Sequence, residues 1–287
     1  MEHLTSRQNP LIKYIRSLRQ RKGRERESRF VIEGVRLLEE ALRATGRPEG
    51  WFCLETVLFS PDLSHHPRGQ KLIAELAERE VKMYTAANEL FPYLADTINP
   101  QGIIGIVQRT NFLPGRVFTP EVEVFNRFSE SLTKPLILVL DRLQDPGNLG
   151  TLLRTAEATG VSEIWLTPGT VDPFSSKVIR ASMGSIFRVP LRTEVEPSLI
   201  SNLGQAGVRL VATSVDKGQP YYQSDFCGPT AILLGNEGSG LSSFLTQKSQ
   251  EIITIPLGGE VESLNVAVAG AILLFEARRQ RESKNLN

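Results

Sequence analysis

Apolar residues recur along this chain with two alternating periods. After Pro10, the residues Leu11, Ile12, Ile15 and Leu18 follow a helical spacing that runs to about residue 20. Residues 30–34 read as a short strand and turn, 35–44 as a helix closed by Thr45-Gly46, and 55–59 as a strand. A helix near 70–79, a strand at 81–84, a helix near 86–95 and a strand at 102–107 complete this series. Residues 109–134 have no steady period and are punctuated by Leu113-Pro114-Gly115, Thr119-Pro120 and Lys134-Pro135. A second series opens with Leu136-Ile137-Leu138-Val139-Leu140, the continuous apolar run of a strand buried on both faces. Further strands are expected at 163–166, 209–212, 231–234 and 252–255, with helices between them and a last helix over about 265–280.

Strand-helix alternation in both series implies α/β layers. The expected organisation is a first domain over 1–108, a linker over 109–134 and a second domain over 135–287. A length of 287 residues suits two domains. The 40% hydrophobic and 23% charged fractions suit a globular protein and argue against a disordered or fibrous one.

Composition then removes several chemistries. No apolar run approaches the ~20 residues of a bilayer span, so no membrane association is expected. The start, Met-Glu-His-Leu-Thr-Ser, has no apolar core of a signal peptide. With only Cys53 and Cys227, neither a disulfide framework nor a cysteine-rich zinc site is expected, and a reducing, cytoplasmic setting follows. No metal is expected. The three histidines are His3, His65 and His66, and the last two sit in a polar Ser-His-His-Pro stretch. A surface role is expected for that pair, so an enzyme built on this chain would need another base.

The net charge of +1 hides an asymmetry. Residues 1–30 carry nine basic and three acidic residues, net +6, while the rest carries 24 basic and 29 acidic, net −5. Such a basic arm is either a phosphate-binding surface or a solvated helix face. Arg278, Arg279, Arg281 and Lys284 are interspersed with Glu276 and Glu282 and read as a soluble helix end.

Three segments of the second domain share one design, a buried strand that runs into a polar turn containing glycine. Ligands of open α/β sheets bind outside the carboxyl ends of strands, which makes these turns the place for a site. The first contains Asp145-Pro146-Gly147-Asn148-Leu149-Gly150 and continues to Arg154. Asn148 is either a helix cap or a site residue, and Arg154 stands among the apolar residues Leu149, Leu152, Leu153 and Ala156. The second is Leu233-Leu234-Gly235-Asn236-Glu237-Gly238-Ser239-Gly240. Its glycines run G-x-x-G-x-G and no Walker lysine follows, so a dinucleotide or P-loop site does not fit. The third runs from Ile255-Pro256-Leu257-Gly258-Gly259 through Ser263-Leu264-Asn265 into a stretch rich in small residues, and Ser263 or Asn265 is an ordinary cap for the helix there.

Taken together, these segments resemble the SpoU/TrmH family of RNA ribose 2′-O-methyltransferases, with its three motifs in order across 135–287. The first domain resembles the L30e-like substrate-binding module that many members carry. The resemblance implies a SPOUT fold with a parallel sheet and a deep trefoil knot, S-adenosyl-L-methionine as cofactor, and a homodimer formed through the knotted domain. It implies Asn148, Arg154, Glu237, Ser263 and Asn265 as the polar catalytic set. Leu233, Gly235, Asn236, Ile255, Leu257, Leu264 and Asn265 would then line the cofactor site. With an RNA partner, Arg7, Lys13, Arg21, Lys22, Arg24 and Arg26 of the basic arm become the expected phosphate contacts. The expected substrate is ribosomal RNA, 23S rRNA first, with tRNA as the alternative. A non-catalytic RNA-binding or ribosome-assembly factor is the competing class.

Overall fold

A computed structural model of the chain describes residues 1–45, 51–109 and 134–285. The chain divides into two packed units, Met1–Phe112 with Asp172–Arg188, and Leu113–Val171 with Val189–Asn287. The expected linker at 109–134 lies almost wholly outside the described residues.

The first unit holds β1 (His3–Leu4), β2 (Arg29–Glu33), β3 (Phe52–Phe59), β4 (Lys82–Ala86) and β5 (Ile103–Arg109) in a mixed sheet of order β1-β4-β3-β5-β2. β1, β4 and β3 run parallel, and β5 is antiparallel to both β3 and β2. The helix Pro10–Ser17 buries Ile12 and Ile15 with Leu58, Phe91, Leu94, Ile104 and Ile106 in one core cluster.

The expected helix of 10–20 stops at Ser17, and a second helix occupies Arg21–Glu27. The break has a steric and a polar cause. A Cβ on Gly23 would lie 2.1 Å from the Ser17 carbonyl oxygen, so only glycine lets the second helix approach the end of the first. Arg24 then donates through Nη1 to the carbonyls of Leu18 (3.0 Å) and Arg19 (2.6 Å), partners the first helix end would otherwise lack. The helix expected at 86–95 is reduced to a 3₁₀ turn and the short helix Phe91–Leu94, with Pro92 in its first turn.

The boundary drawn at 135 places Asp172–Arg188 in the second domain, but by its packing this segment belongs to the first unit. Phe174 and Phe187 stack on Phe30 with ring centroids 5.1 and 6.3 Å away, and Phe52 closes the cluster. All four rings are buried.

The second unit is an all-parallel sheet of order β10-β12-β9-β11-β6-β7-β8. Its strands are β6 (Leu136–Leu140), β7 (Glu163–Leu166), β8 (Leu191–Thr193), β9 (Arg209–Thr213), β10 (Gln219–Pro220), β11 (Thr230–Leu234) and β12 (Glu251–Thr254). The five longer ones fall where the apolar runs predict them. β8 and β10 have three and two residues and lie at the two edges, too short to show a pattern.

From β6 the chain proceeds outward through β7 and β8, and its later strands all build on the other side, β11 directly beside β6. The direction of winding therefore reverses between β6 and β11, and the loops after these two strands flank a crevice at the carboxyl edge of the sheet. The last helix, Val266–Asn285, packs on the helix Pro146–Thr159 that follows β6. Gly270 makes this contact close: a Cβ there would meet Leu152 Cδ2 at 2.5 Å and Leu234 Cδ1 at 2.8 Å.

Candidate active site

The loop after β6 begins with Asp141, which is fully buried. It accepts hydrogen bonds from Thr167 Oγ1 (2.7 Å) at the end of β7 and from the Ser242 N–H (2.9 Å) beyond the loop after β11. Arg142 also donates to it through Nη2 at 3.0 Å. One carboxylate thus ties together three strand ends, and a buried charge is tolerable only with such partners. The sequence marks Asp141 only as an acid directly after a fully apolar strand, and its tying role comes from the fold.

The loop after β11 is shaped by Gly235 and Asn236. A Cβ at Gly235 would lie 2.1 Å from both the Gly240 carbon and the Leu241 nitrogen, so the two arms of the loop touch backbone to backbone. Asn236 Oδ1 accepts from the N–H groups of Gly238 (2.9 Å) and Ser239 (3.0 Å), and its Nδ2 donates to the Arg142 carbonyl (2.8 Å). Its side chain is therefore committed to holding the loop.

That loop presents Glu237 across the crevice. Its carboxylate accepts from the N–H groups of Gln144 and Asp145, each at 3.1 Å, and from Asn148 Nδ2 at 3.0 Å. Partial burial alone would push this carboxyl up, but the hydrogen bonds from Asn148 and from the backbone outweigh it and hold Glu237 below its ordinary value.

Asn148 is not the helix cap. Asp145 takes that role, its Oδ1 accepting from the Asn148 N–H at 2.8 Å. The Asn148 side chain is left to bridge Glu237 and Asn265, whose Nδ2 donates to Asn148 Oδ1 at 2.9 Å. Asn265 caps the last helix through Oδ1, which accepts from Ala267 N–H at 2.9 Å and Val268 N–H at 3.3 Å. Asn265, Asn148 and Glu237 thus form a chain from the third expected segment through the first to the second.

Two members of the expected catalytic set stand apart. Ser263 is exposed and has no hydrogen bond among the described residues. Arg154 is exposed on the helix Pro146–Thr159 and has no ion pair or hydrogen bond among them either. It stands six residues beyond Asn148, about 9 Å along the helix and about 240° around it.

Of the expected cofactor residues, Leu233 is fully buried in a core cluster, and its carbonyl accepts from Thr213 Oγ1 at 2.8 Å. Its side chain belongs to the core and cannot line an open site. Ile255, Leu257 and Leu264 are half-buried on the loop after β12. A Cβ on Gly240, Gly258 or Gly259 would meet nothing within 4 Å. Exposed glycine backbone beside half-buried aliphatic side chains fits a nucleoside-bearing cofactor, which needs amide donors and acceptors together with an apolar floor. Among the described residues no group of His, Cys, Asp and Glu could hold a metal, and no helix is long and apolar enough to cross a membrane.

Residues 135–275 match the SpoU rRNA Methylase family, and residues 9–105 match the MRM3-like substrate binding domain. The chain is 38% identical to an uncharacterized tRNA/rRNA methyltransferase of Synechocystis over 97% of its length and 94% of the relative's. It is 31% identical to the 23S rRNA (guanosine(2553)-2′-O)-methyltransferase RlmP of Bacillus subtilis, over 97% of this chain and 100% of that one. The chain belongs to the SpoU rRNA methylase family. This SpoU protein also superposes on the AdoMet-bound rRNA methyltransferase of Sinorhizobium meliloti with a TM-score of 0.80, at 32% identity and 97% coverage of both chains. It is an S-adenosylmethionine-dependent RNA methyltransferase of the class that modifies ribose 2′-oxygens.

The basic arm is not uniformly available to RNA. Arg7, Lys13, Arg21, Lys22 and Arg26 are exposed. Arg24 is buried, and its Nε donates to Asp172 Oδ2 at 2.8 Å. The expectation that Arg24 contacts RNA is corrected: its guanidinium is spent on Asp172 and on the end of the first helix.

Proposed function

We propose that this chain methylates a ribose 2′-oxygen of 23S ribosomal RNA, with Asn148, Glu237 and Asn265 forming the polar floor of its site. The observation that carries this reading is the reach of Glu237 across the β6/β11 crevice to Asn148, at the point where an open parallel sheet binds its ligand. A first unit that matches a substrate-binding domain supports ribosomal RNA over tRNA.

S-adenosylmethionine, when bound, supplies a methyl carbon already activated by its sulfonium. Gly235, Ile255, Leu257 and Leu264, with the backbone of their two loops, would hold it. Leu233 and Asn236 contribute by holding the strand end and the loop in place. The work left to the chain is to align the hydroxyl and to manage a proton and a developing negative charge. Alignment alone corresponds to ~7–11 kcal/mol of barrier.

Arg154 is the cation for that charge. A guanidinium keeps its proton and is a poor base, so its role is to hold an RNA phosphate and stabilise the oxyanion. Its place on a different face of the helix from Asn148 supports delivery to the neighbouring protomer's site in a homodimer. Val268 and Phe275, 50% and 52% exposed and seven residues apart on the last helix, supply an apolar stripe for that dimer. Ser263 would come into play with RNA and the second protomer in place.

A knotted path is supported by the last helix. It leaves the sheet beyond β12, yet Gly270 lies against Leu152 and Leu234, so the chain crosses back past β9 to reach β11 and the helix after β6. Cys53 and Cys227 are both free, in keeping with a cytoplasmic setting.

The test is methyl transfer to deproteinised 23S rRNA by Arg154→Ala and Arg154→Lys, with cofactor binding measured separately by calorimetry. The expected result is a loss of about 10²–10³ in turnover for the alanine variant, partial retention for lysine, and unchanged cofactor binding. Near-normal turnover in Arg154→Ala would remove it from the mechanism. Failure of the wild-type chain to bind S-adenosylmethionine would favour a non-catalytic RNA-binding role.

A further inference from the structure

Nine cations crowd the first 30 residues, and the structure sorts them. Five are matched to acids: Arg19 with Asp96, Arg21 with Glu25, Arg24 with Asp172, Arg26 with Glu27 and Arg29 with Glu55. A carboxylate at hydrogen-bond distance cancels most of the field that a phosphate would feel. Four remain without an acidic partner among the described residues: Arg7, Lys13, Arg16 and Lys22.

Three of these four are gathered at one place. Lys13 and Arg16 lie three residues apart on the helix Pro10–Ser17, hence on one face, and both are exposed. Arg7 reaches the same place from the segment before the helix. Its guanidinium carbon and that of Arg16 sit over the ring of Tyr93, 4.7 and 4.1 Å from the centroid. Arg16 Nη1 also donates to the Tyr93 carbonyl at 3.0 Å. Two like charges drawn to one ring repel each other, and an aromatic face is what offsets that repulsion in their free state. The field of Arg16 is felt nearby: beyond its own desolvation, Arg19 is held below its ordinary value by this neighbour. Lys22 has no such organiser and sits on the next helix between Arg21 and Arg26, each paired with its own glutamate.

We infer that Arg7 and Arg16, ordered by Tyr93, form with Lys13 the phosphate-contacting face of the first unit, and that the run Arg21–Glu27 is structural. This rests on the reading of the chain as an RNA methyltransferase and narrows the basic arm to one surface. It adds Arg16 and Tyr93 to the residues of interest and withdraws Arg21, Lys22, Arg24 and Arg26. The ligand is the sugar-phosphate backbone of RNA, because cations without an acidic ion-pair partner among the described residues are left to recognise phosphate charge, which carries no base identity.

The test is binding of the full chain to deproteinised 23S rRNA across a salt series. The triple variant Arg7→Ala/Lys13→Ala/Arg16→Ala is compared with Arg21→Ala/Lys22→Ala/Arg26→Ala. Each lost phosphate contact should flatten the slope of log K against log salt by roughly 0.7. The first variant should therefore lose about 2 in slope and weaken at least about tenfold near 0.15 M salt, while the second keeps the wild-type curve. Arg7→Lys/Arg16→Lys should restore the slope, since it keeps the charge. Tyr93→Leu should weaken binding with most of the slope retained. Thermal midpoints and S-adenosylmethionine calorimetry on each variant separate unfolding from lost contact, because the cofactor loops belong to the other unit. Equal losses in the two triple variants, or a loss confined to the second, would overturn the assignment. If wild-type binds RNA with the expected pattern but transfers no methyl group, the surface stands and the enzymatic reading falls.

Discussion

Asn265 Nδ2 and Asn148 Oδ1 are joined by a 2.9 Å hydrogen bond between residues 117 positions apart. Each amide has a second partner: Asn265 caps the last helix, and Asn148 donates to Glu237. The start of the last helix is thereby coupled to the loop after β11. Double-mutant analysis checks whether this coupling matters to the reaction. Asn265→Ala should cost about 1 kcal/mol of stability through the lost cap. Asn148→Ala, at a half-buried site in a helix already capped by Asp145, should cost little stability but lower methyl transfer. The two effects on transfer should fall short of additive by about 0.5–3 kcal/mol. Simple additivity would show that the hydrogen bond is incidental.

Glu237 predicts the acid side of the pH profile. Its folded-state pKa lies below the ordinary value, so its contribution is fully present above the unfolded pKa and is lost as pH falls through the folded one. Cofactor affinity should therefore hold from neutral pH down to the ordinary carboxyl range and decline only below it. Calorimetric titration between pH 3.5 and 7, the bounds being roughly one unit below and several above that range, reads this directly. Glu237→Gln should bind more weakly at neutral pH, with the acid decline flattened. A decline that starts near pH 6 would assign the dependence to another group.

Arg24 and Asp172 form a buried pair, with side chains 8% and 13% exposed. Removing one partner of such a pair leaves an uncompensated charge and typically costs about 3–5 kcal/mol. Arg24→Ala should be destabilised in this range in denaturant unfolding, with Asp172→Ala comparable. Because Phe174 and Phe187 complete the cluster around Phe30 and Phe52, a fragment of residues 1–109 should expose these rings and bind a hydrophobic dye. A fragment that folds cooperatively without dye binding would show that Asp172–Arg188 is dispensable to the first unit.

How much of this was legible beforehand differs by element. The central strands β6, β7 and β11 announce themselves as apolar runs, because a strand covered on both faces has no polar side to break the pattern. The two edge strands carried no such signal, and neither did the division of 10–27 into two helices, which depends on Gly23 meeting a carbonyl from six residues earlier. Asn148, Glu237 and Asn265 were visible as polar residues at strand ends. That Asp145 and not Asn148 caps the helix was not visible, since either residue type serves and only the fold sets which side chain points where.

What the sequence determined by itself was the pair of α/β series and the three glycine-bearing turns, because hydrophobic period and turn chemistry are local properties of neighbouring residues. The tertiary structure alone decided which cations are free. Arg24 meets Asp172 across 148 residues and Arg29 meets Glu55 across 26, while Arg7 and Arg16 meet Tyr93, which carries no charge to cancel theirs. The strength of a charge at a surface depends on what lies within a few ångströms of it. For most of these arginines, that neighbour comes from a distant part of the chain.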